Sequence, residues 1–369
     1  MPTYYEFFAG GGMVRAGLGE RWSCLFANDI DAKKAAVYTA NWGGEHLSVA
    51  DIRALTTAEL PGVADLAWAS FPCQDLSLAG SQRGLEGERS GTFWQFWRLI
   101  KSLIGEQRAP SMVVLENVCG ALTSHGGKDF TAIADALADA GYRFGALVID
   151  AVHFVPQSRP RLFIIAVRTT VPEFLEARSV WHPPNLIHAW GKLPRRLKPS
   201  WVWWHLPAPP PRTTTFADVI EHNSPEVRWH TEAETQRLLE MMSPVNRAKL
   251  QRARRSGAIT IGSLYRRTRG NQQRAEVRFD DVAGCLRTPA GGSSRQTILL
   301  VEGNDIRSRL LSAREAARLM GLPDTYRLPA NYNEAYHLAG DGVVVPVVRF
   351  LAAHLLEPLL AGARPAQAA

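Results

Sequence analysis

Cysteine is scarce in this sequence: its 369 residues include only Cys24, Cys73, Cys119 and Cys285. No two of them form a CxxC pair, and their spacing matches no zinc motif. This argues against a disulfide scaffold and against a structural metal site. We therefore predict no bound metal and a reducing, cytoplasmic compartment.

Long apolar runs are missing as well. No run reaches 18 residues, and the N-terminal MPTYYEFFAGGG has no basic residues ahead of an apolar segment. These absences predict no membrane-spanning helix and no secretory signal. Hydrophobic residues make up 46% of the chain and charged residues 21%, which is typical of a globular protein with a large core. The length suits two domains, or one domain with an insert.

Basic residues are concentrated in one part of the chain. Residues 181–300 carry 19 Lys and Arg against 9 Asp and Glu, whereas the rest of the chain carries 23 against 26. The net charge of +7 therefore comes from a single segment. A basic module beside a slightly acidic one predicts a polyanionic partner, most simply nucleic acid. The alternative is an Arg-rich composition that reflects only a GC-rich genome.

The first 170 residues alternate between short β-prone runs and helical runs. Such alternation with short connections predicts an α/β domain whose parallel sheet is covered on both faces. The predicted strands are Tyr4–Ala9, Cys24–Asn28, Asp65–Ser70, Met112–Glu116 and Leu162–Val167, and the predicted helices are Asp31–Asn41, Thr92–Gly105 and Asp129–Ala140.

The pattern changes after Val167. Residues 172–225 are rich in proline and tryptophan, which predicts a domain boundary followed by irregular structure. Further along we predict helices at Thr231–Met242, Val245–Arg255, Ser312–Met320 and Val343–Leu360, and short strands within Gly257–Arg295.

A glycine-rich turn follows the first predicted strand, at Phe7–Gly12. Glycines there let a ligand approach the backbone at a helix N-terminus. Asp29 ends the second strand, where a carboxylate suits a ribose diol, and Asp51-Ile52 could meet an adenine. A glycine-rich turn of any α/β domain would look the same.

Two further residues follow buried strands at the carboxyl edge of the predicted sheet. Cys73 lies in Ser70-Phe71-Pro72-Cys73-Gln74, where a thiolate could act as a nucleophile. Glu116 ends an apolar strand, where burial would favour the protonated acid and make it a proton donor. The alternatives are a small buried cysteine and a solvated strand-end carboxylate.

Arg159 and Arg161 precede the last predicted strand of this region, within Gln157–Arg161. At i and i+2 of an extended segment their side chains should point the same way. They could bind a carbonyl oxygen, a phosphate or Glu116. The alternative is an ordinary pair of surface salt bridges.

In this order the four motifs resemble those of the C5-cytosine-specific DNA methyltransferase family. Leu310–Asp324 resembles the family's penultimate block and Ala335–Val345 its last, so the resemblance runs from residue 4 to about 360. The chain departs from the family pattern at Met13, where the family usually has glycine, and at Asp341, where it usually has asparagine.

The resemblance implies a chemistry and a set of roles. Cys73 would add to C6 of a cytosine flipped out of duplex DNA, Glu116 would hold the N3 edge, and Arg161 would contact the carbonyl, with Arg159 in support. S-adenosylmethionine would lie across Phe8, Ala9, Gly10, Gly11, Gly12, Asp29, Ile30, Asp51, Ile52, Pro72, Phe93 and Asp341. For DNA contacts we choose Arg254, Arg255, Arg266 and Arg267 from the basic segment.

The implied architecture is a Rossmann-like methyltransferase domain with a smaller inserted target-recognition domain. We expect a catalytic domain at 1–180, target recognition at 181–310, a hinge at 311–337 and a returning C-terminal helix at 338–369. The expected partners are double-stranded DNA and a cognate restriction endonuclease, with no membrane contact and a monomeric state. An RNA cytosine methyltransferase, a catalytically silent DNA-binding protein and a Rossmann dehydrogenase are the alternatives.

Overall fold

The computed structural model describes residues 1–72, 91–221, 224, 226–270, 272–287 and 295–363. The chain divides into two compact units. The first comprises Met1–Ile149, Pro160–Ala208 and Val345–Ala369, and the second comprises Asp150–Arg159 and Pro209–Val344.

A seven-stranded sheet with the order β3-β2-β1-β4-β5-β7-β6 organises the first unit. Its strands are β1 Thr3–Phe7, β2 Ser23–Asp29, β3 Leu47–Val49, β4 Leu66–Ala69, β5 Met112–Val118, β6 Arg143–Asp150 and β7 Pro160–Val167. Neighbouring strands among β3, β2, β1, β4 and β5 pair in parallel, whereas β7 runs antiparallel to β5. The predicted α/β class is confirmed, and the antiparallel strand corrects the expectation of a purely parallel sheet.

The helices of the described residues flank the strands in both units. They are α1 Met13–Leu18, α2 Ala32–Trp42, α3 Thr92–Gly105, α4 Lys128–Asp139, α5 Pro184–Lys192, α6 Phe216–Val219, α7 Glu232–Glu240, α8 Pro244–Arg255, α9 Ala313–Leu319, α10 Tyr332–Asp341, α11 Val345–Leu351 and α12 Glu357–Ala363. Short 3-10 turns connect several elements, and a π-helical segment at Ala352–Leu356 joins α11 to α12.

The two faces of the central strands bury different side chains. Tyr5 and Phe7 belong to the large apolar core, which also takes up the buried faces of α3 and α4. Tyr4 and Glu6 alternate with them and therefore lie on the opposite face. Helix α1 lies on α11, where an added methyl group at Gly17 would stand 2.4 Å from Cβ of Val348.

The tryptophan-rich segment belongs to the first unit, so the expected boundary at 180 is displaced to Ala208. Val202 donates its backbone N–H to Phe144 O at 2.7 Å, and the indole N–H of Trp204 donates to Ile165 O at 3.2 Å. Trp201 is buried in the large core. Apolar side chains thus anchor a segment whose prolines suggested irregular structure.

A four-stranded sheet with the order β11-β10-β8-β9 organises the second unit. Its strands are β8 Thr260–Arg269, β9 Gln272–Arg278, β10 Thr297–Glu302 and β11 Asp305–Leu310. Leu264 and Val277 pack with Leu250 of α8 in the core of this unit. The expected hinge at 311–337 lies within the unit and contains α9 and the start of α10.

The helical run Tyr332–Gly362 is long and apolar enough to cross a membrane by length and composition alone. Within its most apolar window the mean hydropathy is 1.8, but 61% of that window is buried inside the protein. A core helix meets the same criterion, so the run is weak support for a membrane span.

The packing at Gly145 gives a test of the boundary at Ala208. An added Cβ there would stand 1.9 Å from Val202 O, so Gly145→Ala should cost about 2 kcal/mol or more of unfolding free energy. Gly105→Ala, where an added Cβ meets nothing within 4 Å, is the control and should be neutral or slightly stabilising. Equal denaturation midpoints for the two variants would contradict the placement of residues 201–204 against β6.

Candidate functional site

The glycine-rich turn, Asp29 and Glu116, all chosen from the sequence, lie at one edge of the first sheet. Strands β1, β2, β4 and β5 run in the same direction, so their carboxyl ends lie side by side. This is the edge at which α/β sheets carry their ligand sites.

The turn after β1 is held in a left-handed conformation at three positions. Phe8 has a φ of 60°, Gly10 of 56° and Gly12 of 78°. A phenylalanine in this region is strained, and such strain is concentrated at functional sites. Ala9 N donates to Asn28 O at 2.9 Å, and Gly12 N donates to Ala9 O at 2.9 Å, which closes the turn.

Asp29 holds this turn through its carboxylate. One oxygen accepts from Gly10 N at 2.8 Å and the other accepts from Asp31 N at 2.8 Å. The neighbouring Asn28 donates its side-chain amide to Ser48 O and Ala50 O at 3.0 and 2.9 Å. The ends of β2 and β3 and the glycine-rich turn are therefore tied together.

The other residues chosen for a cofactor differ in exposure. Ile30 is 66% exposed, which is unusual for a large apolar side chain. Pro72 and Asp51 are half-buried, and hydrogen bonds from Arg53 keep the pKa of Asp51 below its ordinary value. Ile52 and Phe93 are buried in the large core, behind the surface of this edge.

Glu116 and Arg161 form an ion pair at the same edge. Arg161 Nε lies 3.2 Å from Glu116 Oε1, and the two side chains are 17% and 9% exposed. The pairing of β5 with β7 places Arg161 opposite Val118, which is two residues beyond Glu116 and on the same face of the sheet. Of the uses that the sequence left open for Arg161, the structure shows the contact with Glu116.

Asn117 connects this pair to the loop that follows β4. Its side-chain amide donates to Phe71 O at 3.3 Å, two residues before Cys73, and it is buried. Cys73 itself lies outside the described residues. No motif predicted a role for Asn117, although its place beside Glu116 in a buried strand was the available signal.

Arg159 serves a different purpose from Arg161. It is 2% exposed and belongs to the second unit, where it donates to Leu286 O at 2.8 Å and to Gly340 O and Gly342 O at 2.7 Å each. The Cys285 sulfur lies 3.4 Å from the same guanidinium. The structure thus shows Arg159 bound to backbone carbonyls, and its predicted support of a phosphate or of the Glu116 site stays a prediction.

The residues chosen for DNA contact lie on two elements of the second unit. Arg254 and Arg255 end α8, and Arg254 donates to the Asn304 side chain. Arg266 shares the face of β8 with the buried Leu264, whereas Arg267 lies on the other face, opposite Arg274 of β9. Asp341 is exposed at the last position of α10.

Glu6 is a buried acid that the sequence analysis missed. It is fully buried on β1, and neither carboxyl oxygen has a hydrogen-bond partner among the described residues. Burial raises its pKa from 4.5 to about 8, the nearby Asp29 adds to the rise, and Arg15 opposes it. The available signal was a charged residue inside the otherwise apolar run Tyr4–Phe7.

Glu6 should make stability depend on pH. The folded state keeps this proton up to about pH 8, whereas the unfolded chain releases it near pH 4.5, so the unfolding free energy falls as the pH rises between these values. Thermal denaturation of Glu6→Gln from pH 5 to 8 should show a flatter decline than the unaltered chain. Glu45→Gln, at an exposed position, should keep the original slope; a Glu6→Gln slope as steep as this control would contradict a protonated Glu6.

Comparisons with known proteins match the chain to one family. The family model for C-5 cytosine-specific DNA methylase matches residues 3–357. Type II methyltransferase M.BsuFI of Bacillus subtilis is 26% identical over 97% of this chain and 73% of its own length. Type II methyltransferase M.HhaI of Haemophilus parahaemolyticus is 25% identical over 95% and 92%.

Solved structures share the fold. The Dnmt2 methyltransferase of S. pombe superposes with a TM-score of 0.62 at 17% identity, covering 97% of this chain and 99% of its own. The methyltransferase EhMeth of Entamoeba histolytica gives 0.66 at 15% identity, with the same coverage.

Proposed function

Because the chain belongs to the C-5 cytosine-specific DNA methylase family and is a DNA (cytosine-5) methyltransferase, we propose that S-adenosylmethionine is its donor and that Cys73, Glu116 and Arg161 carry the reaction. The observation that carries this proposal is the Glu116–Arg161 pair, with Asn117 holding Phe71 just ahead of Cys73. The Type II relatives favour DNA over RNA as the substrate, the family match argues against nicotinamide chemistry, and the Glu116–Arg161 pair argues against silent DNA binding.

The glycine-rich turn fits S-adenosylmethionine. An added Cβ at Gly10 would meet nothing within 4 Å, so the turn faces open space, and Ile30 offers an exposed apolar surface for a purine. The bound donor supplies an electrophilic methyl group. We propose that its site comprises Phe8, Ala9, Gly10, Gly11, Gly12, Asp29, Ile30, Asp51 and Pro72, with Ile52 and Phe93 as the wall behind them.

The chain's own groups make the cytosine ring reactive. The Cys73 thiolate adds to C6, which turns C5 into a nucleophilic carbon, and Glu116, once it has taken a proton from solvent, donates that proton to N3 so that negative charge does not build up on the ring. Arg161 orients Glu116 and contacts the cytosine carbonyl. Once C5 carries the methyl group, loss of the C5 proton to a base, departure of the Cys73 thiolate from C6 and return of the N3 proton to Glu116 restore the aromatic ring.

The target base has to leave the duplex, because both faces of its ring are used. We propose that the second unit holds the DNA, since residues 241–300 carry 12 basic residues and only 3 acidic ones.

We also propose that the enzyme is a cytoplasmic monomer. The two relatives named above are Type II methyltransferases. By analogy we propose that a cognate restriction endonuclease accompanies this chain.

Covalent trapping tests the catalytic assignment. Duplex DNA with 5-fluorocytosine at the target site should give a denaturant-resistant complex, because fluorine cannot leave C5 as a cation. Cys73→Ser should abolish both the complex and methyl transfer, since a hydroxyl is too weakly acidic to attack C6 at neutral pH. Cys24→Ser makes the same exchange on β2 and should still be trapped; trapping of Cys73→Ser would contradict the assignment.

The salt dependence of binding tests the DNA surface. Arg267 and Arg274 face each other on the side of the second sheet that α7 and α8 do not cover. Replacing both with Ala should lower the slope of log affinity against log salt by roughly one per lost phosphate contact. Arg252→Ala/Arg255→Ala on the exposed part of α8 is the comparison; if only this pair lowers the slope, the helix and not the sheet binds DNA.

A further inference from the structure

Trp42 contacts the glycine-rich turn from behind. It is the last residue of α2, and its indole N–H donates to Gly11 O at 3.0 Å. An added Cβ at Gly12 would lie 2.4 Å from the same indole nitrogen and 3.0 Å from the ring of Tyr38. The turn is thus both bonded to the indole and packed against it.

We propose that Trp42 is a positioning residue that preorganises the Gly10–Gly12 turn for S-adenosylmethionine, an inference that rests on the donor proposed above. Gly10 and Gly12 have positive φ, and glycine has many competing conformations when nothing restrains it. A turn that is already fixed has less entropy to lose on binding. The hydrogen bond to Gly11 O restrains the peptide between these two glycines.

Helix α2 brackets the turn at both of its ends. At its start, Asp31 caps the helix and donates its backbone N–H to Asp29, whose other oxygen holds Gly10. At its end, Trp42 holds Gly11. A helix of 11 residues is stiff, so the two anchoring points keep a fixed separation.

The indole is itself held in place by Arg15. The guanidinium carbon lies 5.7 Å from the ring centres of both Trp42 and Tyr38, and Arg15 donates to the Tyr38 hydroxyl at 3.0 Å. Arg15 belongs to α1, the helix that follows the turn. The cation–π contact of Arg15 therefore connects α1, the helix after the turn, to Trp42, which holds the turn.

Trp42→Phe tests this role because it keeps an aromatic ring and removes the N–H. One neutral hydrogen bond corresponds to roughly threefold to tenfold in affinity, so the Kd for S-adenosylmethionine by calorimetry should rise by that factor. Turnover at saturating donor should stay within about twofold. In the donor-free protein, amide hydrogen exchange at Gly10–Gly12 should become faster.

Trp22→Phe is the matched control. Its buried indole N–H donates to a carboxylate oxygen of Glu357 at 3.2 Å, in the same unit but away from the turn, so this variant also loses one indole hydrogen bond. It should keep the original Kd and the original exchange at the turn. Trp42→His, whose Nε2–H can take the place of the indole N–H, should recover part of the affinity and slow the exchange again.

The outcomes separate this inference from the function on which it rests. If Trp42→Phe matches Trp22→Phe in both Kd and exchange, the positioning role is wrong. If Trp42→His behaves as Trp42→Phe does, the effect comes from ring packing, and the hydrogen-bond role is overturned. If the unaltered protein fails to bind S-adenosylmethionine, the proposed donor is wrong, while exchange at the turn still decides whether Trp42 orders it.

Discussion

The carboxylate of Asp29 is the constraint on which the ligand edge of the first sheet depends. A buried carboxylate must be satisfied by hydrogen bonds, and Asp29 obtains them from the backbone of Gly10 and Asp31. Asn28 and Asn117 instead donate their side-chain amides to backbone carbonyls, Asn28 at and just after β3 and Asn117 in the loop after β4. The polar ends of the strands therefore fix the loops that form the site.

The sequence predicted this edge well because its signals are local. The bounds of α3 agree with the prediction at both ends, since an apolar helix face spans Thr92–Gly105. The glycine-rich turn and the carboxylate of Asp29 were found at the expected strand ends. Asp29 was predicted to bind a ribose. Its hydrogen bonds from two backbone N–H groups show that it also stabilises the glycine-rich turn, which the spacing of the sequence motif does not reveal.

The misplaced features depend on contacts between residues far apart in the chain. Val202 binds Phe144 and Trp204 binds Ile165, so nothing near residue 180 indicated that the first unit continues to Ala208. The carbonyls that Arg159 binds are more than 120 residues away. Arg309 and Glu315 are only six residues apart, but they form a buried pair in the second unit that no motif in the sequence predicted. Removing one partner of a buried ion pair typically lowers the unfolding free energy by about 3–5 kcal/mol.

The distribution of tryptophan makes the two units optically distinct. Ten of the eleven indoles belong to the first unit, many of them in the segment that runs to Ala208. The second unit contains Trp229 alone, with the guanidinium carbons of Arg307 and Arg309 each 5.2 Å from its ring centre. Intrinsic fluorescence of this protein consequently reports mainly on the first unit. Structural changes confined to the second unit alter tryptophan fluorescence only through Trp229, whose indole is flanked by Arg307 and Arg309.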